Sequence, residues 1–333
     1  SGRSATFSHF GIGGETVRAL TAASRAFFLD PPDGFEALAR MQPALFVADE
    51  AMLPALDTLE RVTRSLTDAC ERLEGAEVHR FCPALRLDRI AAGFVHLEGL
   101  KLEPHSLLQG YARAIRNGGG EIVTGARIAD LKAGWEATTE AGERFSAAVV
   151  INAAGAWADR MAALAGVRPL GLTPFRRTII VFDPPEGTDV RGWPFVKTAA
   201  DELYIMPDAG RLLASPVDEE PDEPGDAQPD EYAMALAAHR VSEFTTLEVR
   251  RIAHRWAGLR TFAPDRVPVA GFAPDAPGFF WLAGQGGYGL QTAPAMAAIV
   301  EALVTGGEWP ESLAIKAEQV RPERFGKAST SSA

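Results

Sequence analysis

The sequence has 333 residues and a formal net charge of −11 at pH 7, and its length predicts about two domains with a large core. The acidic balance, without any basic cluster, argues against nucleic acid as a partner. We also expect no transmembrane segment, although peripheral membrane contact stays compatible with the sequence, and the two cysteines predict reduced thiols and a cytoplasmic location.

Hydrophobic periodicity predicts helices and short strands in the N-terminal part of the chain. The clearest helix lies over 15–28, where Val17, Leu20, Ser24 and Phe28 recur at helical spacing. The other elements predicted here are a loop over 1–14, a strand over 45–47, a mostly helical stretch over 52–73 and a helix over 103–116.

Strands dominate the predicted middle of the chain. An apolar run that ends at Asn152 is typical of a strand buried on both faces. The predicted strands are 121–124, 127–129, 135–138, 145–152, 177–182, 203–206 and 249–259, with an acidic loop over 218–230 and a helix over 231–244.

Two strand–turn–helix junctions are candidate ligand sites. The small-residue turn 152–157 leads into a helix over 158–165, and the apolar strand 279–283 leads into the glycine-rich stretch 284–292. We expect the helix after this stretch to begin at Pro294. Free N–H groups at a helix N-terminus attract anions, and glycines let the backbone approach a large ligand. The second junction therefore predicts a nucleotide cofactor.

Other constellations are weaker. Gly284, Gly286 and Gly289 match the G-x-G-x-x-G fingerprint, but no second strand with an acidic residue about 20 positions on follows, so this loop closes a fold rather than opening one. No two histidines have metal-ligand spacing, and we expect no metal site. A Ser-His-Asp mechanism lacks its G-x-S-x-G turn.

Five segments resemble the D-amino-acid oxidase/glycine oxidase superfamily of FAD-dependent amine dehydrogenases, and most closely its bacterial D-arginine dehydrogenase type. They follow the family's order: GRSA (2–5), ALTAASRAFF (19–28), NAAGAW (152–157), WAGLR (256–260) and GQGGYGLQT (284–292). The family's first strand–GxGxxG–helix unit has no counterpart here, and the simplest explanation is a partial chain. A protein natively without that unit would lose its main phosphate contact with FAD.

The resemblance implies an α/β fold with a FAD-binding domain of the glutathione-reductase-like Rossmann type. A second, α+β substrate domain would be built on an antiparallel sheet. The FAD-binding domain would be discontinuous, lacking its N-terminal βαβ unit. The implied boundaries are 1–25, 98–165 and 256–326 for the FAD-binding domain, and 26–97 and 166–255 for the substrate domain.

The resemblance also implies which residues contact FAD. They are Ser1, Gly2, Arg3, Ser4, Ala5, Thr6, Phe7, Ile128, Ala154, Gly155, Gly286, Gly287, Tyr288, Gly289, Leu290 and Gln291. Without the resemblance, the N-terminal segment would be interpreted as a flexible loop, Ile128 as a core strand residue and the Ala154–Gly155 turn as a packing joint. A helix N-terminus beside the flavin would stabilise the negative charge of the reduced ring.

Four residues are implied on the substrate side: Arg260, Arg177, Tyr204 and Gly287. A planar guanidinium suits a carboxylate because it donates two parallel hydrogen bonds. Arg260 matches the family's carboxylate-binding arginine, Arg177 is a second candidate, and Tyr204 would donate its hydroxyl to the same carboxylate. Gly287 would present its carbonyl to the substrate amine. The alternative interpretations are a surface arginine for Arg260 and a core tyrosine for Tyr204.

The implied reaction is oxidative deamination of a D-amino acid by hydride transfer from Cα to N5 of FAD, giving a 2-oxo acid and ammonia. A glycine/sarcosine-type oxidase on the same fold and a non-catalytic fragment unable to retain FAD remain alternatives. The electron acceptor would be a quinone or O₂.

The sequence also suggests a preference among D-amino acids. Relatives that favour cationic substrates carry an acidic residue where Ala44 aligns, so we expect apolar or small side chains to be favoured. Asp49 or Glu50 would replace that acid after a shift of alignment.

Overall fold

The computed structural model describes residue 3 and residues 5–326. Its α-helices are α1 (Glu15–Leu29), α2 (Leu53–Arg64), α3 (Pro104–Asn117), α4 (Ala158–Leu164), α5 (Glu231–Phe244) and α6 (Gly289–Thr305). Its first nine strands are β1 (Phe7–Ser8), β2 (Ala39–Met41), β3 (Ala44–Ala48), β4 (Cys70–Glu74), β5 (Ala92–His96), β6 (Leu100–Leu102), β7 (Ile128–Lys132), β8 (Glu136–Thr139) and β9 (Arg144–Ser146). The others are β10 (Val150–Asn152), β11 (Thr173–Phe182), β12 (Phe195–Thr198), β13 (Tyr204–Asp208), β14 (Arg211–Ser215), β15 (Glu220–Pro221), β16 (Ile252–Phe262), β17 (Val269–Phe272) and β18 (Phe279–Ala283).

A nine-stranded sheet carries the largest hydrophobic core. Its order is β15-β11-β14-β13-β12-β3-β5-β4, with β16 also paired to β11, and every pairing is antiparallel except β12 with β3. Helices α2 and α5 pack against this sheet. Strands β3 and β5 are buried along their whole length because both of their faces are covered, which fits the wholly apolar sequence of β3 and that of β5 up to His96.

The glycine-rich stretch belongs to a smaller layer. Strands β10 and β18 are parallel, β17 adds an antiparallel edge, and α6 follows β18 directly. Helix α6 packs on α1, where Gln291 Nε2 donates to Thr21 Oγ1 at 2.8 Å and the N–H of Ala295 donates to Ser24 Oγ at 3.1 Å. This parallel pair and the large antiparallel sheet confirm the predicted fold class.

Several element predictions were wrong in whole or in part. The helix expected over 52–73 ends at Arg64, and the chain turns back as β4 because residues 70–74 find a partner in β5. Residues 121–124 form no strand and are exposed. Strand β10 is not buried on both faces, since Ile151 is 41% exposed. Helix α6 begins at Gly289, so Pro294 lies inside it rather than at its start.

Residues 7 and 8, expected in a loop, pair with β6 as a short strand. The helices predicted over 15–28, 103–116 and 231–244, and the strands over 45–47, 177–182 and 279–283, are confirmed within a few residues. None of the described helices is long and apolar enough to cross a membrane.

Candidate active site

Two adjoining cavities lie between the large sheet and the glycine-rich stretch. The larger has a volume of about 900 Å³ and the smaller about 600 Å³. Both are lined by Ala5, Arg177, Arg260 and Gly287, so these four residues mark the place where the two cavities meet.

Glycine backbone forms one wall of the larger cavity. Gly286 has φ 53°, and a methyl group there would overlap the ring of Phe262. A methyl group on Gly287 would lie 2.9 Å from Nη1 of Arg260. Gly289 and Leu290 also line this cavity and begin α6, whose first N–H groups have no partner within the helix. The wall therefore offers close approach and positive potential to a flat anionic ligand.

The structure describes only part of the N-terminal segment that was predicted to contact the cofactor. Ser1, Gly2 and Ser4 lie outside the described residues. Arg3 and Ala5 line the larger cavity, and Ala5, Thr6 and Phe7 line the smaller one. The guanidinium of Arg3 forms an ion pair with Asp226 and donates to the carbonyls of residues 227 and 257. The Arg3 side chain is thus held by protein groups, and its carbonyl accepts a hydrogen bond from Trp256 Nε1 at 3.0 Å.

Some of the other predicted cofactor residues line a cavity, and others do not. Gly155 lines the larger cavity, with its neighbours Ala153 and Ala156, whereas Ala154 and Ile128 line neither. Tyr288 lines the smaller cavity, where burial raises the pKa of its hydroxyl. Gln291 is buried between α6 and α1, and its amide is used by Thr21.

The large sheet presents polar side chains to the smaller cavity in one row. Arg260 on β16 is opposite Phe175 on β11, so Arg177, two residues further along, shares its face. Tyr204 on β13 is directly opposite Lys197 on β12, which places these two side chains together on the cavity face.

Arg177 is already engaged by carboxylates. Its Nε donates to the carbonyl of Asp218 at 2.7 Å, and its Nη2 donates to Glu219 Oε1 at 3.1 Å. Burial, and then the positive charge of Arg260, lower the pKa of Arg177 to about 10. Arg260 has no carboxylate within ion-pair distance among the described residues. Of the two arginines, Arg260 is the one available to an incoming anion.

Tyr204 supports this assignment. Its hydroxyl is buried and finds no hydrogen-bond partner among the described residues. A buried hydroxyl without a partner is costly, and a ligand oxygen in the cavity would satisfy it. Tyr204 and Arg260 both line the smaller cavity, so an anion bound there could accept hydrogen bonds from both.

Several cavity residues were missed by the sequence analysis. Lys197 and Asp201 form an ion pair there, and Glu219 receives two hydrogen bonds from Arg266 at 3.0 and 2.9 Å. A lysine inside the apolar strand β12 was the available signal, because a buried cation needs a partner. Glu219 gave no signal, because it lies in an acidic stretch that is otherwise typical of a solvated loop.

His9 also lines the smaller cavity, among the rings of Phe7, Phe46 and Phe195. The N–H of Gly11 donates to His9 Nδ1 at 3.1 Å. Burial, and then the charge of Lys197, lower the pKa of His9 well below its ordinary value, so the ring is neutral at pH 7. It cannot donate from Nδ1 in this arrangement.

The expectation that apolar or small side chains are favoured assumed that Ala44 lies in the substrate pocket, and this placement was wrong. Ala44 is fully buried in β3 and lines neither cavity. Asp49 accepts from the N–H of Met52 at 3.0 Å, and Glu50 begins the short helical turn after it. No cluster of three or more His, Cys, Asp or Glu side chains suited to a metal occurs among residue 3 and residues 5–326.

Comparison with known proteins gives a family match over most of the chain. A family model described as "DAO: FAD dependent oxidoreductase" matches residues 1–303. FAD-dependent oxidoreductase domain-containing protein 1 of Bos taurus is 26% identical over 290 residues, covering 72% of this chain and 58% of the relative. Glycine oxidase of Bacillus licheniformis is 26% identical over 267 residues, covering 76% and 68%. The chain thus spans little more than half the length of the bovine relative.

Solved structures that share the fold of this chain also match it. The structure of L-proline dehydrogenase from P. horikoshii superposes with a TM-score of 0.78 at 18% identity, covering 95% of this chain and 85% of that one.

Proposed function

Because this chain belongs to the DAO family of FAD-dependent oxidoreductases, whose cofactor is FAD, we propose that it oxidises the Cα–N bond of D-amino acids. The observation that carries the proposal is that Arg260, without a carboxylate partner among the described residues, and Tyr204, whose buried hydroxyl has no partner there either, line the same cavity as Gly287. The resemblance of the five sequence segments to D-arginine dehydrogenase-type enzymes supports the D configuration.

Residues around the larger cavity fit the flavin end of FAD. A side chain at Gly286 or Gly287 would collide with Phe262 or Arg260, so only glycine keeps the backbone in this wall, and the N-terminus of α6 would stabilise negative charge on a flavin held there. FAD, when bound, supplies the hydride acceptor, N5, for the hydrogen that leaves the substrate Cα. The dipole of α6 would stabilise a reduced, negatively charged ring more than an oxidised one, so this helix would assist oxidation of the substrate and not only cofactor binding.

Protein groups hold the substrate on the smaller-cavity side. Arg260 donates two parallel hydrogen bonds to the α-carboxylate, and Tyr204 donates a third. The Gly287 carbonyl accepts from the amine, which loses its extra proton to water before oxidation. The product imine then hydrolyses to a 2-oxo acid and ammonia. Glu219 holds Arg177 in the cavity wall beside Arg260, and the charge of Arg177 adds to the positive potential there.

The test is anaerobic mixing of the FAD-loaded protein with matched D- and L-amino acids. We expect the D enantiomers to bleach the visible flavin band and the L enantiomers to leave it unchanged. Bleaching by L-amino acids alone, or by no amino acid, would contradict the proposal. Admitting O₂ or a soluble quinone to the reduced protein then identifies the electron acceptor.

A glycine/sarcosine-type oxidase is the second candidate, favoured by the similarity to a glycine oxidase. Glycine and sarcosine belong in the same panel. A higher kcat/KM for either than for every larger D-amino acid would favour this candidate.

A further inference from the structure

Lys197 is a buried cation in the wall of the smaller cavity. The residue is 7% exposed, and its ammonium forms an ion pair with Asp201, the carboxylate nearest to it in the described chain. The Asp201 side chain is 62% exposed and projects from the turn between β12 and β13. Lys197 therefore has a partner that water already solvates for the most part.

The sheet places Lys197 within reach of a substrate held by Arg260. Lys197 is directly opposite Tyr204, so their Cβ atoms are about 5 Å apart on one face. Burial lowers the pKa of Lys197, and the positive charges of Arg177 and Arg260 are close enough to lower it further. A molecule whose α-carboxylate meets Arg260 and Tyr204 would extend its side chain toward the ammonium.

Not every cation that lines the smaller cavity has a buried carboxylate partner. Arg177 and Arg266 share Glu219, and Asp265 pairs with Arg324 outside the cavity lining. Arg260 has no carboxylate partner among the described residues, and Lys197 has only the exposed Asp201. One anionic group satisfies Arg260, and a second can replace Asp201.

We propose that Lys197 selects substrates whose side chain ends in a carboxylate, so that acidic D-amino acids such as D-glutamate and D-aspartate are preferred. This inference rests on the proposed function. The distal carboxylate of the substrate replaces Asp201 on the Lys197 ammonium, and Asp201 turns out to water. The exchange keeps the buried cation paired throughout.

Other side chains gain less at this position. An amide or apolar side chain leaves the Lys197–Asp201 pair in place and adds no charge interaction. A cationic side chain meets the positive potential of Lys197, Arg177 and Arg266. D-Arginine and D-lysine are therefore disfavoured relative to D-glutamine.

The first experiment measures binding without turnover. The FAD-loaded protein is titrated with glutarate and with butyrate, following the flavin spectrum and, separately, the thermal midpoint. We expect glutarate to bind about tenfold more tightly, since exchange of one buried ion-pair partner for another retains only part of a full charge pair. Lys197→Met should abolish the difference, and Lys197→Arg should retain most of it.

A matched control removes a comparable lysine elsewhere. Lys101 is also mostly buried, pairs with Asp208 at 3.2 Å and lines neither cavity. Lys101→Met should leave the glutarate preference unchanged. If Lys101→Met reduced it as much as Lys197→Met, the effect would be one of stability and the inference would be overturned.

Asp201→Asn should change the affinity for glutarate in the opposite direction. Asparagine tolerates the φ of 61° at this position, and it cannot compete as an anion for Lys197. Glutarate binding should therefore tighten several-fold in this variant. Weaker binding would show that Asp201 is part of the recognition site rather than its exchangeable occupant, which contradicts the proposal.

Turnover separates this inference from the proposed function. We expect kcat/KM for D-glutamate to exceed that for D-glutamine by about tenfold, and this ratio to fall to about one in Lys197→Met. If D-amino acids reduce the flavin but the ratio is near one in the wild type, the selectivity inference fails and the proposed function stands. If no amino acid reduces the flavin, the proposed function fails, and the inference about substrates fails with it.

Discussion

At the residue scale, Arg260 and Arg177 show how two similar side chains acquire different tasks. Both belong to the same face of the large sheet, and both were predicted to bind the substrate carboxylate. Arg177 is neutralised by Asp218 and Glu219, whereas Arg260 meets no carboxylate among the described residues. The difference comes from an acidic loop that is close in space but about forty positions away in sequence.

Arg260→Ala should raise KM steeply, because removing one partner of a desolvated charge pair costs about 2–5 kcal/mol of binding. Arg260→Lys should recover only part of this loss, since a point charge cannot make two parallel hydrogen bonds. Steady-state kinetics with a D-amino acid measure both. Arg176→Ala is the matched control, because Arg176 pairs with Asp222 and lines neither cavity. An unchanged KM in Arg260→Ala would move the carboxylate site elsewhere.

His96 makes stability depend on pH. Neither ring nitrogen has a partner among the described residues, and burial lowers the pKa of His96 to about 4. Below the unfolded value of 6.5 the unfolded chain binds a proton that the folded ring does not. The free energy of unfolding should therefore be highest above pH 6.5 and fall by about 3 kcal/mol toward pH 4.

His96→Phe tests this dependence while keeping an aromatic ring beside Phe10, which lies 5.0 Å from the His96 ring centroid. Urea unfolding of the wild type and variant at pH 7 and pH 4.5 gives the comparison. We expect the variant to gain stability relative to the wild type as pH falls. A constant difference between the two proteins would assign the pH dependence to other groups.

At the element scale, the short loop from β18 to α6 joins the two cavities. Its glycines allow the chain to pass close to Phe262 and Arg260, and its end starts a helix of 17 residues. The sequence pattern located this junction, but it placed the helix start five residues too late. Proline is common in a first helical turn, whereas here the helix begins one turn earlier, where the N–H of Thr292 donates to the carbonyl of Tyr288 at 3.1 Å and Gln291 donates to Thr21 of α1.

Gly287→Ala should weaken substrate binding without loss of the cofactor. The added methyl would lie 2.9–3.2 Å from three atoms of the Arg260 guanidinium, which must then shift. We expect KM to rise about tenfold or more, in the direction of Arg260→Ala. Gly192→Ala is a suitable control, since nothing lies within 4 Å of the added carbon. Equal effects of the two substitutions would show that the loop tolerates the methyl.

At the scale of the whole molecule, the chain joins a mostly antiparallel sheet that lines the smaller cavity to a parallel strand pair that carries the glycine-rich loop. The predicted division into two domains, with boundaries near 25, 97, 165 and 255, stays a prediction.

We predict that FAD is held without a covalent bond. The lining of the larger cavity contains neither histidine nor cysteine, and Cys82 is buried in the core of the large sheet, where desolvation raises its thiol pKa to about 12. Acid precipitation of the yellow protein should therefore leave all colour in the supernatant. Colour that stays in the pellet after washing would contradict this prediction.

Local sequence determined the elements and the kind of site. Apolar runs specified the strands of the large sheet, the glycines before α6 specified a close-approach loop, and arginines beside apolar strands specified candidate anion ligands. These features depend on neighbours within a few residues. Stretches such as 121–124 and 70–73 were predicted wrongly, because their conformation depends on partners supplied from far along the chain.

Only the tertiary structure decided which charges meet. The pairing of Arg177 with Glu219, the placing of Lys197 opposite Tyr204, and the removal of Ala44 from the cavity all follow from strand order and register. Register is set by long-range pairing, and a shift of one residue would turn each of these side chains to the other face. The sequence by itself therefore determined that a flavin-type site is present, whereas the fold determined which of the cations beside it have a carboxylate partner and which do not.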